Sequence, residues 1–283
     1  MQTRVSAVQL EFRYCSTPQE FADHVRAPIE RAAQDGAQLI VLPHTASYML
    51  FGMFDTDARA NETFDDLAQR QNLSTHEWLA DRAGYVFEFY LHLFQSLAAR
   101  VETWLVPGTV IEPEDENFLL TAFLLNPSGE IVGRQRQMHN TEKEHVWGIL
   151  PGDTLRVFET EIGDFGIVTG EDIHYPEVAR ILASNGANAL LHPAAHGAAT
   201  HNVPPNEQLL QDLWRDVQAN QTFGVQANLV GANFYGLSAI YAPIAYHGER
   251  RGILAQADTT SDEVVSAELD VDALKLFRAQ NVA

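Results

Sequence analysis

Short apolar runs alternate with amphipathic stretches along most of this chain, and this rhythm most constrains the fold. Residues 38–43 and 189–193 are continuous apolar runs of the kind found in strands buried on both faces. Between them, residues 176–186 place Val178, Ile181 and Leu182 at helical spacing after Pro176. Strands that alternate with helices in this way predict the α/β fold class.

The length and composition predict a well-packed globular protein. A chain of 283 residues can bury a substantial core, and the sequence shows no internal repeat and no linker. We therefore predict a single domain over residues 1–283, with an atypical insert near residues 52–100. The first part of that insert, residues 52–83, is polar and acidic, and we interpret it as irregular. The second half of that insert is rich in aromatic side chains, which we expect in a helix core or a dimer contact: Tyr85, Phe87, Phe89, Tyr90 and Phe94.

The charge and the cysteine content exclude several classes of protein. A net charge of −20 repels nucleic acid and anionic lipid, so we expect neither nucleic acid nor a membrane as a partner. No apolar run approaches the ~20 residues that span a bilayer, and the N-terminus enters a strand-like run without a signal peptide. The single cysteine, Cys15, cannot form an internal disulfide. These features favour a cytoplasmic location.

Residues 166–180 read as a buried strand, a sharp turn and a helix opened by Pro176. Gly170 stands at the turn and Asp172 follows two positions later. The segment resembles the nucleophile segment of the nitrilase (carbon–nitrogen hydrolase) superfamily, in which a Cys follows the apolar strand and an acidic residue comes two positions later. In this chain Gly170 occupies the position of that Cys.

Other segments are similar to the same family in the same order along nearly the whole chain. Residues 37–43 resemble the family's second strand, and His44 follows where the catalytic Glu is expected. Residues 133–139 are similar to the segment that carries the catalytic Lys two positions before a His; Gln137 holds the Lys position and His139 remains. Further matches lie at residues 151–153, 157–160, 185–187, 190–195 and 230–270.

The resemblance implies a four-layer α-β-β-α sandwich of the nitrilase type that pairs into a homodimer through its outer helices. In the family, a Glu, a Lys and a Cys hydrolyse a nitrile or amide through a thioester. His44, Gln137 and Gly170 stand at those three positions, so thiol-based catalysis is predicted to be absent. Cys15 follows the first strand, and we expect it to play no part in catalysis.

Acidic residues could support hydrolysis without a thiol. The family often carries a further glutamate before its Pro-Gly-Asp loop, which Glu142 or Glu144 could match. With His44 and Glu171, these side chains could activate water as a general base, since a carboxylate in a closed pocket can have a raised pKa. The alternative is that residues 142–144 form a solvated charge run on the surface.

Histidines lie near the strand ends that the resemblance places around the pocket. With Asp172, the predicted pocket-lining residues are His139, His174, His192 and His196. A metal site could draw on His44, His139 and His192, although no local ligand spacing supports one. The ordinary alternative is that these histidines are hydrogen-bonded within their loops. We expect no cofactor.

Two hypotheses about function follow, from different classes. The first is a non-catalytic or strongly altered family member that binds a small-molecule ligand. The second is a hydrolase of amide- or nitrile-type C–N bonds in which His44 and a glutamate activate water, with or without a metal. An ordinary thiol amidase would require the three family positions to be aligned wrongly.

Overall fold

The computed structural model describes residues 1–197, 212–231, 233–247, 250–258 and 260–281. The helices are α1 (Pro18–Gln34), α2 (Phe64–Arg70), α3 (Thr75–Ala80), α4 (Ala83–Val101), α5 (Glu142–Val146), α6 (Pro176–Ser184), α7 (Leu213–Asn220), α8 (Ile244–His247) and α9 (Val271–Asn281). Short 3-10 helices span Ala46–Phe54, Gly170–His174 and Arg250–Gly252.

The strands are β1 (Gln2–Glu11), β2 (Leu39–Val41), β3 (Trp104–Val106), β4 (Thr109–Glu114), β5 (Asn117–Leu125), β6 (Ile131–Arg136), β7 (Ile149–Leu150), β8 (Val157–Thr160), β9 (Gly163–Ile167), β10 (Ala189–Pro193), β11 (Phe223–Ala227), β12 (Leu229–Gly231), β13 (Phe234–Tyr235), β14 (Ala239–Tyr241), β15 (Ile253–Gln256) and β16 (Glu263–Asp270). They form two sheets.

The first sheet runs in the order β13-β12-β1-β2-β3-β5-β4, with β16 also pairing with β1 and with β6 and β7 pairing with β5. The second sheet runs in the order β15-β14-β11-β10-β9-β8. Strands β1, β2 and β3 are parallel in the first sheet, as are β9, β10 and β11 in the second. The carboxyl ends of such parallel strands are where α/β proteins commonly place their ligands.

The apolar side chains of β2 divide between two cores. Leu39 and Val41 belong to the core between the two sheets, whereas Ile40 and Leu42 point into the core that α1 and α4 cover. Alternation with period two is what a strand buried on both faces requires. The second sheet divides in the same way, with Leu191 in the central core and Leu190 in a third core covered by α6 and α7.

Three cores between four layers make an α-β-β-α sandwich, so the predicted α/β class and architecture are confirmed. The apolar spacing within residues 207–222 also predicts an amphipathic helix; the structure describes it as α7, and residues 207–211 lie outside the described part of the chain. Within the residues that the structure describes, we find no helix long and apolar enough to cross a bilayer.

The region predicted as an insert is more regular than the sequence suggested. Helices α2 and α3 lie in a stretch interpreted as irregular, and each begins at a capping box, Thr63 with Asp66 and Ser74 with Glu77. In α4, Tyr90 and Phe94 are buried in the first core, which is the core that α1 and α4 cover, while Tyr85 is 54% exposed. The interpretation of residues 52–100 as an atypical insert stays a prediction.

Candidate functional site

Gly170 lies at the turn between β9 and α6 and opens the 3-10 helix Gly170–His174. Its φ of +46° falls in the left-handed region, which L side chains rarely adopt. A Cβ atom at this position would stand 2.3 Å from Gln137 Oε1 and 2.7 Å from both Cε1 and Nε2 of His44. The space at which a side chain would start is therefore filled by the side chains of Gln137 and His44.

His44 follows β2 and is held on both its backbone and its ring. Its backbone N–H donates to the carbonyl of Ala194 at 3.1 Å, and its Nδ1 lies 2.8 Å from the Thr109 hydroxyl. That hydroxyl also accepts the N–H of Thr45 at 3.0 Å. The Thr109 hydroxyl keeps its own proton for donation after accepting the amide, and when it donates to Nδ1 the imidazole proton is on Nε2, beside Gly170. Burial, with smaller effects of His192 and His196, lowers the pKa of His44 to about 3.

Gln137 follows β6, and its amide nitrogen is fixed by two acceptors. Nε2 donates to Asn140 Oδ1 and to Glu144 Oε2, each at 3.1 Å. Both N–H groups are thereby used, so the orientation of the amide is set and Oε1 faces Gly170. This oxygen is buried and has no hydrogen-bond partner among the described residues. It is an acceptor available to a bound donor.

Asp172 joins the Gly170 turn to the loop after β6. Its carboxylate accepts the N–H of Met138 at 3.0 Å, the N–H of His139 at 2.9 Å, and His139 Nδ1–H at 2.9 Å. The Thr169 hydroxyl donates to the same group at 2.9 Å. Asp172 is 1% exposed, and burial raises its pKa while these hydrogen bonds lower it. The carboxylate therefore connects the Gly170 turn to the backbone of Met138 and His139, the two residues that follow Gln137.

The three candidate acids occupy different environments. Glu144 is buried; its Oε2 accepts the N–H of Thr141 at 2.7 Å within the capping box of α5. Burial raises the pKa of Glu144, and the charge of Glu171 raises it further. Glu171 is half-buried, whereas Glu142 is exposed. Of residues 142 and 144, only Glu144 contacts the site, so the solvated-surface alternative holds for Glu142.

The predicted pocket histidines separate into two groups. The His139 ring is bound to Asp172 and stacks on Tyr175 with centroids 3.5 Å apart. His174 is exposed, although its charge contributes to lowering the pKa of His192. His192 is fully buried and His196 half-buried, with ring centroids 5.8 Å apart.

The metal candidates taken from the sequence do not come together. The ring of His139 is used by Asp172, and the Nδ1 of His44 by Thr109. Among the described residues, the group whose ligand atoms lie within 4.8 Å of one another is His192, His196 and Asp212. Of the histidines considered from the sequence as metal candidates, His192 belongs to this group, whereas His44 and His139 do not. Sequence reasoning missed Asp212 and Thr109, since no local spacing links them to the histidines.

Cys15 and the lysines lie away from this site. Cys15 is fully buried in the first core, and burial raises the pKa of its thiol to about 12. Lys143 is exposed on α5, and Lys275 pairs with Asp164 at 3.1 Å. The chain has one cysteine and two lysines in all, so neither residue type is present among the groups that surround Gly170.

Comparison with known proteins agrees with this architecture. The chain is 26% identical over 284 residues to the probable hydrolase YhcX of Bacillus subtilis (strain 168), a match that covers 97% of this chain and 51% of the relative. The chain thus spans about half the length of that relative. It is 23% identical over 286 residues to the citrullinase of Francisella tularensis subsp. tularensis (strain SCHU S4 / Schu 4), covering 97% of this chain and 91% of the relative.

A solved structure shows the same fold. The carbon–nitrogen hydrolase from Helicobacter pylori G27 aligns with a TM-score of 0.76 at 22% identity, covering 99% of this chain and 92% of the other. The sequence model of the family described as carbon–nitrogen hydrolase matches residues 4–279. Because that match covers nearly the whole chain, the chain belongs to the carbon–nitrogen hydrolase family.

Proposed function

We propose that this chain is a carbon–nitrogen hydrolase family member that has lost thiol-based hydrolysis and binds a small molecule bearing an amide or carbamoyl group. In this proposal His44, Gln137 and Gly170 stand at the family's Glu, Lys and Cys positions. The observation that carries it is their convergence: both side chains lie within 2.7 Å of the Cβ position at Gly170. Three residues from distant segments meet at one point, and none of them can act as a thiol nucleophile.

The chemistry of the thiol supports the loss of thioester formation. The thiolate is the nucleophilic form of cysteine, so a reactive cysteine needs a lowered pKa and access to solvent. Cys15 has a pKa raised to about 12 and is fully buried. A turnover mechanism based on this thiol would require opening of the first core.

The polar atoms around Gly170 support an amide-like ligand. Gln137 Oε1 is an acceptor without a protein partner among the described residues, and His44 Nε2 carries a proton when Thr109 donates to Nδ1. A primary amide or carbamoyl group offers both an N–H donor and a C=O acceptor, so it complements this pair. Gly170 itself is half-buried, which gives the site a side that faces solvent. Citrullinase, one of the relatives, is named for a ureido compound.

A binding assay paired with an activity assay tests the proposal. The purified protein is titrated calorimetrically with primary amides, nitriles and carbamoyl compounds, and ammonia release is followed on the same panel. We expect binding of at least one amide or carbamoyl compound without ammonia release. Gln137→Leu should weaken that binding by about tenfold or more, since a lost buried hydrogen bond costs about 1–3 kcal/mol.

The matched control is Gln69→Leu, which makes the same change at an exposed position of α2. Its affinity should equal that of the wild type. If the Gln137→Leu variant bound the ligand with the same affinity as the wild type, the ligand would not use this acceptor, and the assigned site would be rejected. Ammonia release that depends on Cys15 would reject the loss of thiol chemistry.

A second candidate function is hydrolysis by activated water, and Glu144 is the observation that favours it. Burial raises the pKa of Glu144, and its carboxylate accepts a hydrogen bond from Gln137 beside Gly170; a raised pKa favours a general base or acid. Turnover that survives Cys15→Ala and is lost in Glu144→Gln would establish this function. The glutamine keeps the capping box of α5, because Gln also serves at that position.

The homodimer and the cytoplasmic location stay predictions. Size measurement in solution decides the first, and localisation of the tagged protein in its own cell decides the second.

A further inference from the structure

His192, His196 and Asp212 form a second cluster beside the Gly170 site. The backbone N–H of His44 donates to Ala194, which lies between the two histidines, and Val168 precedes Gly170 by two residues and binds the ring of His192. We propose that this cluster is a binding site for a divalent transition-metal ion, with zinc as the best fit. The inference concerns metal binding alone and does not depend on the function proposed above.

The tautomer of His192 is the one that metal binding requires. A carbonyl oxygen can only accept, so the 2.8 Å contact with Val168 fixes the proton on Nδ1. The lone pair is then on Nε2, which is buried and has no hydrogen-bond partner in the described part of the chain. Buried polar atoms normally have a partner, and an unpaired one calls for a bound water or ion. A backbone carbonyl on the other ring nitrogen is also the usual outer contact of a metal-bound histidine.

The side chains of His196 and Asp212 lie near His192 but are not hydrogen-bonded to each other. His196 Nδ1 lies 3.6 Å from Asp212 Oδ2, which is too long for a direct hydrogen bond. The backbone of His196 is fixed, since its N–H donates to Asn228 Oδ1 at 2.8 Å and its carbonyl accepts the N–H of Tyr235 at 3.0 Å. The cluster is therefore held in place by its surroundings rather than by a His–Asp hydrogen bond.

Asp212 is held by partners of its own. Oδ1 accepts the N–H of Leu213 at 2.8 Å as the cap of α7, and Oδ2 accepts Gln226 Nε2 at 2.7 Å. Metal-binding carboxylates are commonly oriented by such outer hydrogen bonds. A carboxylate oxygen retains lone-pair capacity after one hydrogen bond, so Oδ2 can still bind an ion.

The distances fit a small ion after a modest closure. The three ligand atoms lie within 4.8 Å of one another. In a tetrahedral zinc site with bonds of about 2.0–2.2 Å, ligand atoms stand about 3.3–3.6 Å apart. Two histidines and one carboxylate are a ligand set that zinc uses with an open fourth position. The closure therefore amounts to at most about 1.2–1.5 Å per pair, within the reach of side-chain rotation.

Equilibrium dialysis of the chelator-treated full chain against Zn²⁺ tests the site. We expect about one zinc per chain, and a Co²⁺-loaded sample should show the visible absorption of a tetrahedral site. His196→Gln and Asp212→Asn should each lower the zinc affinity by at least about tenfold, the lower end of the loss seen even for outer-shell partners. Asparagine keeps the cap of α7, so Asp212→Asn retains the helix start.

The matched control is His145→Gln, which removes an exposed histidine on α5 and should leave zinc binding unchanged. Circular dichroism of each variant verifies the fold. His192→Gln is a third variant; if its burial prevents folding, the two partly exposed positions still decide the question. Absence of stoichiometric zinc in the wild type, or equal zinc affinity in the wild type, His196→Gln and Asp212→Asn, would overturn the site.

Discussion

The Nε2 atom of His44 lies 2.7 Å from the point at which a side chain at Gly170 would begin. This approach is closer than real Cβ contacts, so a side chain at Gly170 would have to displace the His44 ring. Gln137 Oε1 stands 2.3 Å from the same point, so its amide would have to move as well.

Substitution of Gly170 by alanine should destabilise the protein by about 2–5 kcal/mol. The left-handed backbone costs a non-glycine residue about 1–2 kcal/mol, and overpacking against Gln137 and His44 adds about 1–3 kcal/mol. Chemical denaturation measures the free energy of unfolding. Gly36→Ala is the control, because its φ is +85° and the nearest atom stands 3.8 Å from the added Cβ. Equal losses in the two variants would show that the space at Gly170 is open.

The pH dependence of stability should report the neutral state of His44. Its pKa is about 3 in the fold against about 6.5 in the unfolded chain, so below pH 6.5 the unfolded state binds a proton that the fold does not. The wild type should therefore lose stability relative to His44→Gln by up to about 1.4 kcal/mol per pH unit as the pH falls from 6.5 to 4.5. His192, Glu144 and Asp172 titrate in both proteins, which is why the difference is the informative quantity. A difference that is constant with pH would contradict the buried neutral imidazole.

Native Cys15 should resist alkylation. Iodoacetamide at pH 8 reacts with thiolates, and the Cys15 pKa of about 12 together with full burial leaves almost none exposed. Intact-mass measurement should show no adduct in buffer and one adduct in denaturant. Rapid labelling of the folded protein would mean that the first core opens at Cys15.

Asp172→Asn should cost about 1–3 kcal/mol of the free energy of unfolding. Asparagine keeps one acceptor oxygen, so either the N–H groups of Met138 and His139 or the Thr169 hydroxyl would lose its acceptor to Nδ2, and a buried group left unpaired is costly. Hydrogen exchange of the Met138 and His139 amides should accelerate more than that of distant strands. Asp153→Asn is the control, since the Asp153 carboxylate is exposed and, among the described residues, bonds to its neighbour Thr154.

The α/β class could be predicted because its signals are local, whereas the four-layer arrangement was predicted through the family resemblance. The alternation within residues 39–42 places side chains in two cores, and the turn before Pro176 precedes a helix, as the pattern required. Helices α2 and α3 were not predicted, although Thr63 and Ser74 stand at capping-box spacing. The acidic, polar composition of residues 52–83 favoured an irregular segment over helices.

The site could be predicted only in part. His44, Gln137 and Gly170 were selected through the family resemblance, and their contact depends on two sheets that face each other. Thr109 and Asp212 could not be found, because β4 and the start of α7 reach the histidines only through tertiary packing. Periodicity carries no information about such distant pairs.

The most direct test of the account compares ammonia release by the wild type and Cys15→Ala on a panel of amides, nitriles and carbamoyl compounds. The account predicts no thiol-dependent turnover, with both proteins giving the same rate, at or near background. Turnover by the wild type that disappears in Cys15→Ala, while circular dichroism shows an unchanged fold, would contradict the loss of thiol chemistry at Gly170.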